Sequence, residues 1–173
     1  FAPSQEQVRR FFCEAWSKHK SSMPLTPLEA QAVDWMVLHP EYHDDLSDVD
    51  AAIARQYSVE GGQTNPFLHL SMHLSITEQV SIDQPRGIKA AIDKLVQRRA
   101  SLHDAHHEAM EALGEMVWES QRSGRPFDGQ GYIDRVMMRA TRGFRASGQR
   151  WRLLPIGPFY QARLLTWASS GPA

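Results

Sequence analysis

The chain predicts an all-α fold, a compact bundle of five to seven helices. Three observations carry that expectation. Nearly every segment shows apolar residues at helical spacing, and no strand-like alternation competes with it. Helix-start signals recur, each an N-cap residue followed by Pro or by Glu or Gln at the expected offset. Gly and Pro mark breaks between periodic stretches at Pro40, Gly61-Gly62, Pro85-Arg86-Gly87 and Gly124-Arg125-Pro126.

The elements follow in order. Ser4-x-x-Gln7 is a capping-box pattern opening a helix to about Lys20, with Val8, Phe11, Phe12, Ala15 and Trp16 on one face. Thr26-Pro27-Leu28-Glu29 opens a second, which stops near His39 because Pro40 disfavours helical backbone at the residue before it. A short helix is expected over Val49–Arg55, and residues 57–64, with Gly61-Gly62, read as a loop. Asn65-Pro66 opens a helix ending near Asp83. Ile88 to Arg122 is helical by pattern, as one long helix or two meeting near Ala100-Ser101. Gly124-Arg125-Pro126 stops it, and residues 129–142 form the last helix, with Tyr132, Ile133, Val136 and Met137 apolar.

Two regions are expected: a helical bundle domain over residues 1–142 and a basic, aromatic-containing tail over 143–173. The charge is uneven. Residues 1–138 hold 13 Lys and Arg against all 20 Asp and Glu; residues 139–173 hold six Arg and no acid. Tail residues Trp151, Phe159, Tyr160 and Trp167 interleave with the arginines. They suit RNA, an acidic partner or the acidic body itself, the last being favoured. The near-neutral whole disfavours nucleic acid, and a homo-oligomer stays open. The single cysteine, Cys13, excludes an intramolecular disulfide and a Cys-based zinc knuckle. No apolar run approaches the roughly 18–20 residues of a membrane span, and no signal peptide is predicted. The expectation is a soluble, cytoplasmic protein.

Seven of the eight histidines fall in three short stretches. These are His39-Pro40-Glu41-Tyr42-His43, the pair His69 and His73, and His103, His106 and His107 followed by Glu111 and Glu115. His69 and His73, four apart, share one helix face. Met72, Ile76 and Val80 continue their stripe, and Phe67, Leu70 and Leu74 make a neighbouring one. That helix is apolar over most of its circumference and is expected to be central. Buried imidazoles need partners for their ring nitrogens, and a shared metal supplies them. His103, His107 and Glu111 form an i, i+4, i+8 ladder, with nitrogen and oxygen donors in step. His106 points elsewhere on the helix, toward a core or supporting role. His39 and His43 follow a helix end and complete the candidate set, with Tyr42 or Glu41 orienting them. Asp44, Asp45 and Glu115 are candidate orienting carboxylates.

The leading expectation is a metal site between the central helix and the 103–115 helix. His69, His73, His107 and Glu111 lead the ligand set, and His103, His39 and His43 follow. Such donors suit iron, manganese or zinc, at one or two ions per chain. An open coordination position would make the site catalytic, and a closed one structural, so the sequence names no reaction. Two other readings fit the same residues: a non-enzymatic helical adaptor with structural histidines, and a bundle holding haem between two facing histidines. His-x-x-x-His with His-x-x-x-Glu resembles the ligand inventory of hemerythrin-like bundles. The order along the chain is reversed, however, and no His-x-x-x-x-Asp follows.

Several stretches also carry a family resemblance. They are Gln7-Val8-Arg9-Arg10-Phe11-Phe12, Pro24 to Ala30, Leu38 to His43, Asn65 to Leu74, Glu78-Gln79 through Gln84-Pro85-Arg86-Gly87-Ile88, and His103 to Arg122 with Trp118. Over about residues 1–138 the chain resembles a bacterial family, domain of unknown function 1841. The resemblance implies a compact, mostly helical, cytoplasmic bacterial protein and brings no activity. The histidines of its motifs fall on His39, His43, His69, His73, His103 and His107, while His106 looks particular to this chain. Members usually stop near the helix containing Tyr132, so the tail from about Arg142 has no counterpart.

Overall fold

The structure, a computed structural model, describes residues 4–57, 63–142, 150–156 and 164. Its described residues form eight α-helices and no strand: α1 (Gln5–Lys20), α2 (Pro27–Val37), α3 (His43–Leu46), α4 (Val49–Ala54), α5 (Pro66–Ile82), α6 (Ile88–Arg99), α7 (Leu102–Ser123) and α8 (Gly129–Thr141). Two 3₁₀ turns, Pro40–Tyr42 and Arg150–Leu153, complete them. Most of the loop expected at 57–64, and tail residues Phe159, Tyr160 and Trp167, lie outside the described residues.

The class is as expected; the 88–122 stretch takes its two-helix form, and α3 raises the count above seven. Ala100 takes a left-handed φ of 54°, and the Ser101 side chain then accepts from the Asp104 N–H. A helix end and a fresh N-cap therefore divide the 88–122 stretch into α6 and α7. After Pro40 the chain makes a single 3₁₀ turn and resumes as α3.

The starts follow the side-chain chemistry. Ser4 with Gln7, and Thr26 with Glu29, each form a full capping box. Asn65 accepts from the N–H groups of Phe67 and Leu68 and fixes the start of α5. Each cap satisfies donors that the first helical turn would otherwise leave unpaired.

α5 forms the wall between two cores. Leu68, Met72 and Ile76 face a core built from α6, α7 and α8, while Phe67, Leu70 and Leu74 face one built with α1, α2 and α3. This is why the helix is apolar nearly all round. Its polar residues are held internally: the Tyr132 O–H donates to Gln79 at 2.7 Å, and the Gln79 amide donates to Ser75 at 2.9 Å. Trp151 is fully buried against α7 and belongs to the first core. Gly114 seats it, because a Cβ there would lie 2.6 Å from the Trp151 Cβ. No helix among the described residues is long and apolar enough to cross a membrane.

Candidate metal centre

Three segments deliver the histidines to one place. α2 gives out at Val37, and Pro40 holds His39 in a non-helical conformation (φ −125°, ψ 67°) that folds its ring back under the helix end. α5 carries His69 and His73, both with no exposed surface, on the wall between the two cores. α7 brings His103, His106 and His107 against them.

The rings interlock closely. His39 Nε2 lies 3.2 Å from His103 Nε2, and His69 Nε2 lies 3.1 Å from His107 Nε2. His73 Nδ1 and His106 Nδ1 are 3.4 Å apart. One ring nitrogen from each of His39, His73, His103 and His107 falls within 4.8 Å of the other three. Nitrogens about 2.1 Å from one tetrahedral ion are roughly 3.4 Å apart. The His39–His103 edge matches that scale, and the four nitrogens are close enough together to hold one ion.

Hydrogen bonds around the cluster set which nitrogen faces inward. The Trp35 carbonyl can only accept, so His39 Nδ1–H donates to it at 2.7 Å, and the His39 Nε2 lone pair faces the cluster. Arginine can only donate, so His69 Nδ1 accepts from Arg152 Nη2 at 3.4 Å, and the Tyr42 O–H donates to the same nitrogen at 2.6 Å. Neutral His69 then carries its proton on Nε2, facing His107. His69 thus presents an N–H to the cluster, where His39 presents a lone pair. Among the described residues, His73 Nε2 is buried without a hydrogen-bond partner. An unmet buried ring nitrogen of this kind costs about 1–3 kcal/mol.

Burial keeps the imidazoles uncharged. Desolvation, reinforced by neighbouring histidines, holds His73 far below the ordinary histidine value. It does the same to His69, with Arg152 adding to the effect. Burial lowers His106 to about 3 and His107 to about 4, and it lowers His39 as well. Neutral imidazoles at working pH are the protonation state that metal ligation requires. Burial also raises the Tyr42 hydroxyl to about 12, so it remains a donor.

The remaining candidates sit elsewhere. His43 Nε2–H donates to the Met36 carbonyl at 2.8 Å, and its ring stacks on Trp16 at 4.2 Å, in the other core. Glu111 is buried on α7, one turn beyond His107, and lies outside the four-nitrogen group. Asp45 pairs with Arg55 and accepts from Tyr57, and Glu115 pairs with Arg135. His106 joins the cluster through His73. Trp35, which no histidine spacing points to, stacks on His73 at 4.0 Å and lies 4.4 Å from His106. Trp151 meets His69 edge-on at 5.0 Å, and Arg152 follows it. The tail's arginine excess was the only sequence sign of that neighbour.

No curated protein and no solved structure matches the chain. All eight histidines lie within residues 4–138, and Trp151 and Arg152 lie beyond them. A family model does match residues 4–138, and the chain belongs to that family, described as Domain of unknown function (DUF1841).

Proposed function

We propose that this chain is a metal-binding helical bundle protein whose ligands are His39, His73, His103 and His107. The observation that carries the reading is the convergence of four imidazole nitrogens, from three separate segments, within 4.8 Å. The orphaned His73 Nε2 supports it against purely structural histidines, which would each find protein partners. The edge-on rings favour an ion over a porphyrin between two facing histidines: His39 meets His69 and His103 at 4.6 and 4.9 Å between centroids.

An all-imidazole set suits zinc or iron better than manganese, which prefers oxygen donors. One ion per chain fits the group. His69, Tyr42 and Trp35 act around it by orienting and packing the ligand rings. Four imidazoles complete a tetrahedral zinc but leave two positions on a six-coordinate iron. The ion's identity therefore separates a structural site from a reactive one.

X-ray absorption spectroscopy on metal-loaded, tag-free protein tests the ligand set. The expected spectrum shows nitrogen neighbours at about 2.0–2.2 Å with imidazole multiple scattering. A spectrum dominated by carboxylate or sulfur, or protein that loads no metal, would overturn the proposal.

A further inference from the structure

Beside the histidine cluster lies a cation that pairs with no carboxylate among the described residues. Arg152 sits on the 3₁₀ turn Arg150–Leu153, held against α7 by the burial of Trp151 in front of Gly114. Its Nη2 lies 3.4 Å from His69 Nδ1, and its Nε is buried without a hydrogen-bond partner. Among the described residues it makes no ion pair. Glu41, one residue from Tyr42, is exposed and does not pair with it. Residues 139–173 contain no Asp or Glu, so the tail supplies no carboxylate side chain either. The charge bears on the site itself, adding to the burial that lowers His39, His69 and His107 and partly offsetting the burial that raises Tyr42.

A partly buried guanidinium with an unmet N–H is unfavourable unless an acceptor comes to it. Its planar fork matches the two oxygens of a carboxylate or phosphate. The neighbouring imidazoles are neutral and cannot serve as its counter-ion.

We infer that Arg152 anchors a small-oxyanion subsite beside the histidine cluster, taking a phosphate or carboxylate group. Its service to a bound metal rests on the proposed metal-site function. The anion is a ligand or substrate group delivered next to the ion, held by a residue outside the stretch the family model matches.

Isothermal titration calorimetry with sodium phosphate and with sodium acetate tests this on the full chain, metal-loaded and metal-stripped, beside elemental analysis of each preparation. Wild-type protein should bind at least one of the two anions saturably, and which anion binds more tightly separates phosphate from carboxylate. Arg152→Met should weaken binding tenfold or more with metal content unchanged. Arg152→Lys, which keeps the charge and loses the fork, should fall between them, and it serves as the test if Arg152→Met fails to fold. No binding of either anion by the wild type, or wild-type affinity in the variants, would overturn the subsite. Metal loading without anion binding rejects the subsite alone. Arg152-dependent binding by protein that takes up no metal rejects the metal reading alone.

Discussion

His39 Nδ1 lies 2.7 Å from the Trp35 carbonyl oxygen, and this contact decides which face of the imidazole meets the cluster. His43, four residues on, also bonds a carbonyl of α2, that of Met36, but its ring lies on Trp16. Two histidines of one short stretch thus take different parts. His39→Ala should weaken metal affinity roughly 100-fold or more, judged against the 10–100-fold typical of losing a supporting partner. His43→Ala should leave affinity within a few-fold. Competition against a chromophoric chelator measures both, and equal losses would contradict the distinction.

Tyr42→Phe removes the 2.6 Å hydrogen bond to His69 while keeping the ring. The expected cost is about 1 kcal/mol in chemical denaturation. Metal affinity should fall about tenfold, because His69 loses one of the groups that fix its orientation beside His107. Unchanged affinity would place His69 outside the site's support.

Acid should destabilise the metal-free protein. His106 and His107 are held at about 3 and 4, and His39, His69 and His73 are lowered too, all relative to an ordinary 6.5. Between those folded values and 6.5 the unfolded chain binds more protons than the native one. Stability therefore falls as pH drops below 6.5, by about 1.4 kcal/mol per pH unit for each fully buried imidazole. These groups contribute no pH dependence well above 6.5. Metal competes with protons, so the loaded protein should hold its melting temperature to lower pH. A metal-free melting temperature that is flat from pH 7.5 to 5 would contradict the burial of the cluster.

Gly114→Ala should unseat Trp151. The added Cβ would meet the Trp151 Cβ at 2.6 Å, too close for either backbone to tolerate. The expected loss is about 1–3 kcal/mol, despite the better helix propensity of Ala, with Trp151 fluorescence moving to longer wavelength. A stabilised variant with unchanged emission would show that the tail is not seated on α7.

The elements were largely legible because their signals are local. Ser4, Thr26 and Asn65 cap the helices they were expected to cap, and the apolar circumference of α5 followed from its place between two cores. The site was legible as a set of residues and not as an arrangement. Helical spacing puts His69 and His73 on one face, but cannot show that Tyr42 and Arg152 both meet His69 Nδ1. It also cannot show that the 3₁₀ turn after α2 returns His39 to the cluster. Glu111 keeps step with His107 along α7, yet helix packing leaves it outside the four-nitrogen group. The seat at Gly114 depends on a partner nearly forty residues on, and no periodicity reports it.

The central claim is that His39, His73, His103 and His107 hold an ion together. Elemental analysis of tag-free wild-type protein, alongside the His39→Ala/His103→Ala double variant, tests it most directly. The wild type should carry about one zinc or iron per chain, and the double variant almost none while remaining folded by circular dichroism. A wild type without metal, or a double variant that keeps its full complement, would contradict the account.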